Sequence, residues 1–286
     1  MTPYLFDDTR CRLGEGPMWH PERGQLFWFD ILGRKLLTRE GGAMRAWDFP
    51  EMVSAAGWID RDTLLIASET ALLRFDLASG RTEVVAALEA DNPATRSNDG
   101  RADPQGGFWI GTMGKAGAPG AGAFYRYCRG ELRRLVANVT VTNAICFAPD
   151  GTAAYYADTP KMQVLRHRLD AQGWPVGEAE VFLDLRAEAL MPDGAVTDAE
   201  GNFWNAQWGA GRVAQYDSAG RFLQAVDLPP AQTTCPAFGG AGLATLYCTS
   251  AMQGLAEGRL AAEPQHGRTW AVDGIGRGRP EPRVIL

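Results

Sequence analysis

Residues 54–86 read SAAGWIDRDTLLIASETALLRFDLASGRTEVVA. Four apolar runs, SAAGWI, TLLIAS, ALLRFD and TEVVAA (the last reaching Ala87), are separated by DRD, ET and LASGR. Short β-type runs joined by tight polar turns predict four consecutive antiparallel strands, the unit of a propeller blade. The pattern extends in both directions. Glu15-GPMWHPERGQLFWFD, Asn98-DGRADPQGGFWIGT, Asn143-AICFAPDGTAAYYAD and Asp193-GAVTDAEGNFWNAQ share one plan. Each has a polar leader, a strand, an acidic-Gly or Pro-containing turn and an aromatic-rich second strand. Cys235-PAFGGAGLATLYCTS continues the series more loosely. The leaders Glu15, Ser54, Asn98, Asn143, Asp193 and Cys235 are 39, 44, 45, 50 and 42 residues apart. Periods of about 40–50 residues carrying four strands each indicate propeller blades. The expectation is an all-β, six-bladed β-propeller with four antiparallel strands per blade, one domain over residues 1–286. Its ring would close by pairing a terminal strand, from residues 3–7 or 281–286, into the last blade, which protects edges that an open sheet exposes.

Composition narrows the function. Hydrophobic residues make up 45% of the chain and charged residues 22%, ordinary values for a globular protein. A net charge of −6 disfavours nucleic acid as a partner, because such binding rests on basic patches. No apolar window is long enough for a transmembrane helix, so no membrane association is expected. The first residues, MTPYLFDDTR, lack the basic and apolar regions of a signal peptide, which makes the cytoplasm the default location. Five scattered cysteines with no C-x-x-C pair predict reduced thiols, mostly buried. Three dispersed histidines offer no H-E-x-x-H site, and no Gly-x-Ser-x-Gly elbow supports a serine nucleophile. Trp28, Trp109, Tyr155 and Trp204 on the second strands read as blade packing.

In a propeller the first strand of each blade lines the channel, so residues at its start form a ring at one mouth. Here that ring carries carboxylates and carboxamides where a core would hold Val or Ala. Converging groups of this kind need neutralisation, and a cation provides it. Glu15, Asn143 and Asp193 offer three oxygen ligands and leave coordination positions open, as at a catalytic metal. The donor set suits one divalent ion: Ca²⁺, Mg²⁺, Mn²⁺, Fe²⁺ or Zn²⁺. Asp and Asn beside Gly are also ordinary turn residues. Their shared register with Glu15, which has no turn role in Leu13-Gly14-Glu15-Gly16-Pro17, favours the site.

With these residues assembled, the chain resembles the senescence marker protein / gluconolactonase / luciferin-regenerating enzyme family. LGEGPMWHP (13–21), RSNDGRADPQGGFWIGTMG (96–114), NAICFAPDG (143–151), MPDGAVTDAEGNFWNAQWGAGRV (191–213) and CPAFGGAGLATLYCTS (235–250) carry the likeness. The resemblance implies a six-bladed propeller, one catalytic divalent metal and hydrolysis of sugar lactones. By motif, Glu15, Asn143 and Asp193 hold the metal, Asp193 serves catalysis, and Arg96 and Asn98 contact substrate. Two positions depart from the pattern. Asn143 is followed by Ala144 where Gly is usual. Gly111-Thr112-Met113 is followed by Gly114-Lys115-Ala116, where some relatives carry a substrate-contacting Glu. Lys115 is therefore a candidate substrate contact favouring anionic lactones, with a solvated loop lysine as the competing reading. The segment GKAGAPGAGA (114–123) reads as a connection over the channel mouth, with a lid role as the sharper possibility. The expected reaction opens an aldono-1,4- or 1,5-lactone to the aldonic acid, by a monomer or weak homo-oligomer. The alternatives are an aryl-ester or phosphotriester hydrolase on the same metal site, or a non-catalytic metal-binding propeller.

Overall fold

Alternating short strands and polar turns leave the chain no route to a helical core. In the computed structural model, which describes residues 1–286, six four-stranded antiparallel sheets stand around one axis. The only α-helix is the short Glu257–Ala262. The stretch first read as a blade forms strands Val53–Asp60, Thr63–Ser68, Ala71–Asp76 and Thr82–Ala87, each within two residues of its expected span. The blades begin with inner strands Gly14–His20, Val53–Asp60, Thr95–Ala102, Thr142–Phe147, Met191–Thr197 and Thr233–Gly239. Each inner strand touches that of the next blade, and the sixth touches the first.

Burial falls from axis to rim. The inner strand Thr142–Phe147 is buried throughout, whereas the outer strand Thr82–Ala87 has no buried residue. Apolar side chains pack between adjacent blades: Phe27 and Phe29 of blade 1 join Val53, Leu64 and Ile66 of blade 2 in one cluster. Trp28, Trp109, Tyr155 and Trp204 are all buried there, as expected. The Trp109 ring meets Phe147 of blade 4 edge-on at 5.6 Å. Such contacts convert sheet faces into a continuous core without helices.

Of the two closures considered, the chain uses the amino-terminal one. Tyr4–Asp7 adds to Thr269–Asp273 as the outer strand of blade 6. The carboxyl-terminal residues do something else. They run as an irregular strap across the ends of the inner strands, away from the polar leaders. Ala199 N–H donates to Arg277 O, and Gly278 N–H to Leu243 O, both at 2.8 Å. Val284 and Ile285 N–H donate to Trp58 and Gly106 carbonyls, also at 2.8 Å. Glu281 pairs with buried Arg101 of blade 3, and Val284 is fully buried. The strap thus closes the far end of the channel.

Candidate active site

The leaders stand where the inner strands begin, but not at strictly equivalent positions. In five of the inner strands two residues oppose one on the partner strand, a β-bulge. Glu15 and Asn143 are the last paired residues before the bulge, whereas Asn98 and Asp193 are the first bulged ones. Cys235 is the second bulged residue. The shared register expected from spacing is therefore corrected by one residue in blades 3 and 5 and by two in blade 6. A bulge re-aims side chains, so residues of different register still reach one cavity. Glycine makes two of these bends possible. Gly16 has φ +54°, and a methyl group there would collide with the Ser54 carbonyl of blade 2. One on Gly194 would strike Cys235 Sγ of blade 6. Ala144 takes φ 59° in the fourth blade, a left-handed conformation that costs a non-glycine residue about 1–2 kcal/mol. The Asp99 carboxylate accepts the adjacent Ile145 N–H at 2.7 Å and holds that bend from blade 3.

A cavity of about 480 Å³ opens at this mouth, lined by Glu15, Arg96, Asn98, Asn143 and Asp193. That volume lies in the range of small-molecule sites. All five residues are at least nine-tenths buried. Asn98 Nδ2 donates to Thr142 O at 2.8 Å and to Asn143 Oδ1 at 3.1 Å. Asn143 Nδ2 donates to Thr159 Oγ1 at 2.8 Å, and Thr159 Oγ1 donates to Pro192 O at 2.7 Å. Arg96 Nη1 donates to Asn98 Oδ1 at 2.7 Å and Ser97 O at 2.9 Å. This relay crosses blades 3, 4 and 5. It fixes the amide of Asn143 with the donor outward to Thr159, leaving a lone pair on Oδ1 for a ligand. Both N–H groups of Asn98 are engaged, so its spare capacity is one lone pair on Oδ1. Arg96 retains its Nε and Nη2 donors.

The electrostatics are unbalanced. Burial pushes the Glu15 carboxyl up to about 8, with the Asp99 charge adding to the effect. Asp193 is raised well above the usual carboxylate range by burial and then by the Glu15 charge. The two carboxyl groups face each other closely enough to share a proton. Asp99, behind them, is pushed up by burial to about 6. Burial lowers Arg96 to about 10, against the attraction of Glu15, so it stays cationic at neutral pH. Two buried, facing carboxylates joined by an oriented carboxamide oxygen fit a divalent cation by the chemistry of the donor set.

Lys115 is the one expected contact that the fold keeps away. Its ammonium pairs with Glu69 of blade 2 and donates to Pro93 O, outside the cavity lining. The backbone of Lys115 is tied to Ala94 O at 2.8 Å. The loop after Met113 is thus fastened to the neighbouring blade, and the anionic preference read from Lys115 loses its geometric basis.

A family model described as SMP-30/Gluconolactonase/LRE-like region matches residues 13–252. The chain belongs to this family. A calcium-binding regucalcin of Agrobacterium tumefaciens is similar in structure, with TM-score 0.97 and 42% identity, covering 100% of this chain and 98% of that one. The L-arabinolactonase of Azospirillum brasilense is 36% identical over 272 residues, 92% of this chain and 89% of its own. The pentonolactonase of Haloferax volcanii is 34% identical over 289 residues, 99% and 98% respectively. No helix of this family member is long and apolar enough to cross a membrane.

Sequence reasoning missed Thr159, Gln232 and Trp208, which also line the cavity. A signal for the first two was available in the blade plan itself. In a four-stranded antiparallel blade, the turns between strands two and three, and the links from one blade to the next, open where the inner strands begin. Thr159 follows the second strand of blade 4, and Gln232 precedes the first strand of blade 6.

Proposed function

We infer that this protein hydrolyses a sugar lactone, an aldono-1,4- or 1,5-lactone, to the aldonic acid with the help of one divalent metal ion. The observation that carries the reading is the pair of buried, facing carboxylates Glu15 and Asp193 beside an oriented Asn143 amide, in a cavity that also holds Arg96. The lactonase activities of the Azospirillum and Haloferax relatives support the substrate class. The calcium-binding neighbour supports a cation of the Ca²⁺, Mg²⁺, Mn²⁺, Fe²⁺ or Zn²⁺ type.

Glu15, Asn143 and Asp193 would hold the ion, which when bound polarises a carbonyl and lowers the pKa of an attached water. Asn98 and Thr159 keep the Asn143 amide oxygen turned to the cavity. Asp193 would also take the proton of the attacking water, through the carboxylate oxygen that the ion leaves free. Arg96, anchored through Nη1, presents its remaining N–H groups to the oxygen that becomes anionic as the carbonyl is attacked. Asn98 Oδ1 can accept from a substrate hydroxyl. The buried walls limit bulk water around these groups.

The test is a substrate panel on chelator-treated protein, with single divalent ions added back and acid release followed by titration. Pentono- and hexonolactones should be opened with one or a few of the ions and not without them. Faster turnover of aryl esters or phosphotriesters under the same ion would replace this reading with the alternative hydrolase. Binding of the ion without turnover of any of these would leave a non-catalytic propeller.

A further inference from the structure

Gln232 stands apart from the other neutral side chains buried in the cavity wall. Asn98, Asn143 and Thr159 are linked in the relay, whereas Gln232, only 8% exposed, has no hydrogen-bond partner for its Oε1. Its backbone is fixed, since its carbonyl accepts the Ala251 N–H at 3.0 Å. Its amide nitrogen faces Gly254, another residue of the cavity rim. A buried amide oxygen without a partner lowers stability, so a sequence gains nothing in the free protein by keeping it.

The oxygen is closed to solvent, so the amide nitrogen at the rim, which also has no partner, is the end whose position gives Gln232 a use. Gln232 enters blade 6 and Arg96 and Asn98 belong to blade 3, so in a ring of six they face each other across the axis. Between them stand the polar Glu15, Asn143 and Asp193, and Leu13, Met191 and Trp208 add apolar wall to the same cavity. A ligand spanning this space meets both the polar groups and the apolar surface. A sugar ring has that distribution, with C–H faces and a hydroxylated tail. Arg96 is the only basic residue in the lining, so the blade 6 end offers no partner to a carboxylate or sulfonate tail.

Resting on the lactonase reading, we propose that Gln232 is a specificity-determining residue that hydrogen-bonds the exocyclic hydroxyl tail of a neutral sugar lactone. The free Nε2–H donates to a hydroxyl oxygen of that tail.

The experiment compares wild type with Gln232→Leu. Gln232→Met, equal in length, serves if the branched side chain does not fit. Three readouts are taken: calorimetric binding of a 1,4-anhydropentitol, which has the ring and hydroxyls but no carbonyl; kcat and KM for a pentono-1,4-lactone and for γ-butyrolactone; and the melting temperature of the ligand-free protein. The variant should bind the anhydropentitol about three- to ten-fold more weakly, the worth of one neutral hydrogen bond. The pentonolactone should lose that much more kcat/KM than γ-butyrolactone, through KM. The free variant should melt higher than wild type, because the unpartnered oxygen is gone. A merely structural glutamine predicts the reverse: a lower melting temperature and equal losses on both lactones, either of which overturns the proposal. Unchanged anhydropentitol binding also overturns it. A wild type that opens neither lactone, yet binds the anhydropentitol in a Gln232-dependent way, would sink the hydrolase reading and leave this subsite standing.

Discussion

Without a divalent cation this protein should become less stable as the pH rises from 6.5 to 8, and adding one should cancel the slope. Glu15, raised to about 8, and Asp193, raised well above the usual carboxylate range, together keep a proton in the folded state that the unfolded chain has released. Carboxyl groups raised in this way contribute stability that is complete below their unfolded values near 4. That contribution is lost as the pH climbs through the folded value. One retained proton gives a slope of about 1.4 kcal/mol per pH unit, or about 2 kcal/mol over this window. For a chain of this length that is a fall of about 3 °C in melting temperature. The window starts at 6.5 because His20, buried and lowered, works in the opposite sense below that value. Exposed carboxylates such as Asp76, Asp184 and Asp217 are held low by local hydrogen bonds and are fully ionised throughout. Thermal melts in chelator across the window, repeated with a saturating divalent ion, make the measurement. A bound ion replaces the shared proton, so its stabilisation should be larger at pH 8 than at 6.5. A chelated protein whose melting temperature stays level or rises over the window would refute the account of the Glu15–Asp193 pair. An ion effect equal at both ends would refute it too.

Four further outcomes are expected. Asp193→Asn should lower lactone turnover at least a thousand-fold, yet raise the melting temperature of the chelated protein at pH 8, because the amide faces Glu15 without having to hold a proton; kinetics and melts on one preparation check both. Thr159→Val should weaken cation affinity about ten-fold by freeing the Asn143 amide to rotate, measured by calorimetry. Lys115→Ala should leave the ratio of kcat/KM for neutral and anionic lactones within two-fold of wild type, since Glu69 and Pro93 O already occupy the ammonium. Asp103→Ala strands the fully buried Arg126, whose Nε donates to Asp103 at 2.6 Å, and should cost about 3–5 kcal/mol in denaturant melts.

The blades were legible because each carries its own local signal. Ser54–Ala87 shows four apolar runs and three turns without reference to any other part of the chain. The candidate site was legible in composition but not in register. Glu15, Asn98, Asn143 and Asp193 were selected as polar leaders, yet their shared cavity depends on bulges that insert one residue without changing the apolar pattern. Nothing in a count of residues distinguishes the bulged Asn98 from the paired Asn143. Thr159 was invisible for another reason: Asp158-Thr159-Pro160 is an unremarkable turn sequence, and its value lies in contacts to Asn143 and Pro192 across two blades. Lys115 shows the converse error. Its place after Gly-Thr-Met suggested a substrate contact, but the charge that decides its direction, Glu69, lies in a different blade.

The closure of blade 6 also orders events during synthesis. Tyr4–Asp7 emerges before every other strand, yet its partner Thr269–Asp273 is made last. Five blades can pair from neighbouring hairpins as they leave the ribosome, at small loop-closure cost. The sixth must wait, with its outer strand dangling, until translation has passed residue 273. Until then the ring has an open seam between Gly14–His20 and Thr233–Gly239, where the first and sixth inner strands meet in the finished molecule. Glu15 sits on that seam, so the proposed cation site would be completed at the same step that joins the two ends of the chain. On the proposed ligand set, a nascent or truncated chain would therefore be unable to bind a cation there, however well its five blades had formed.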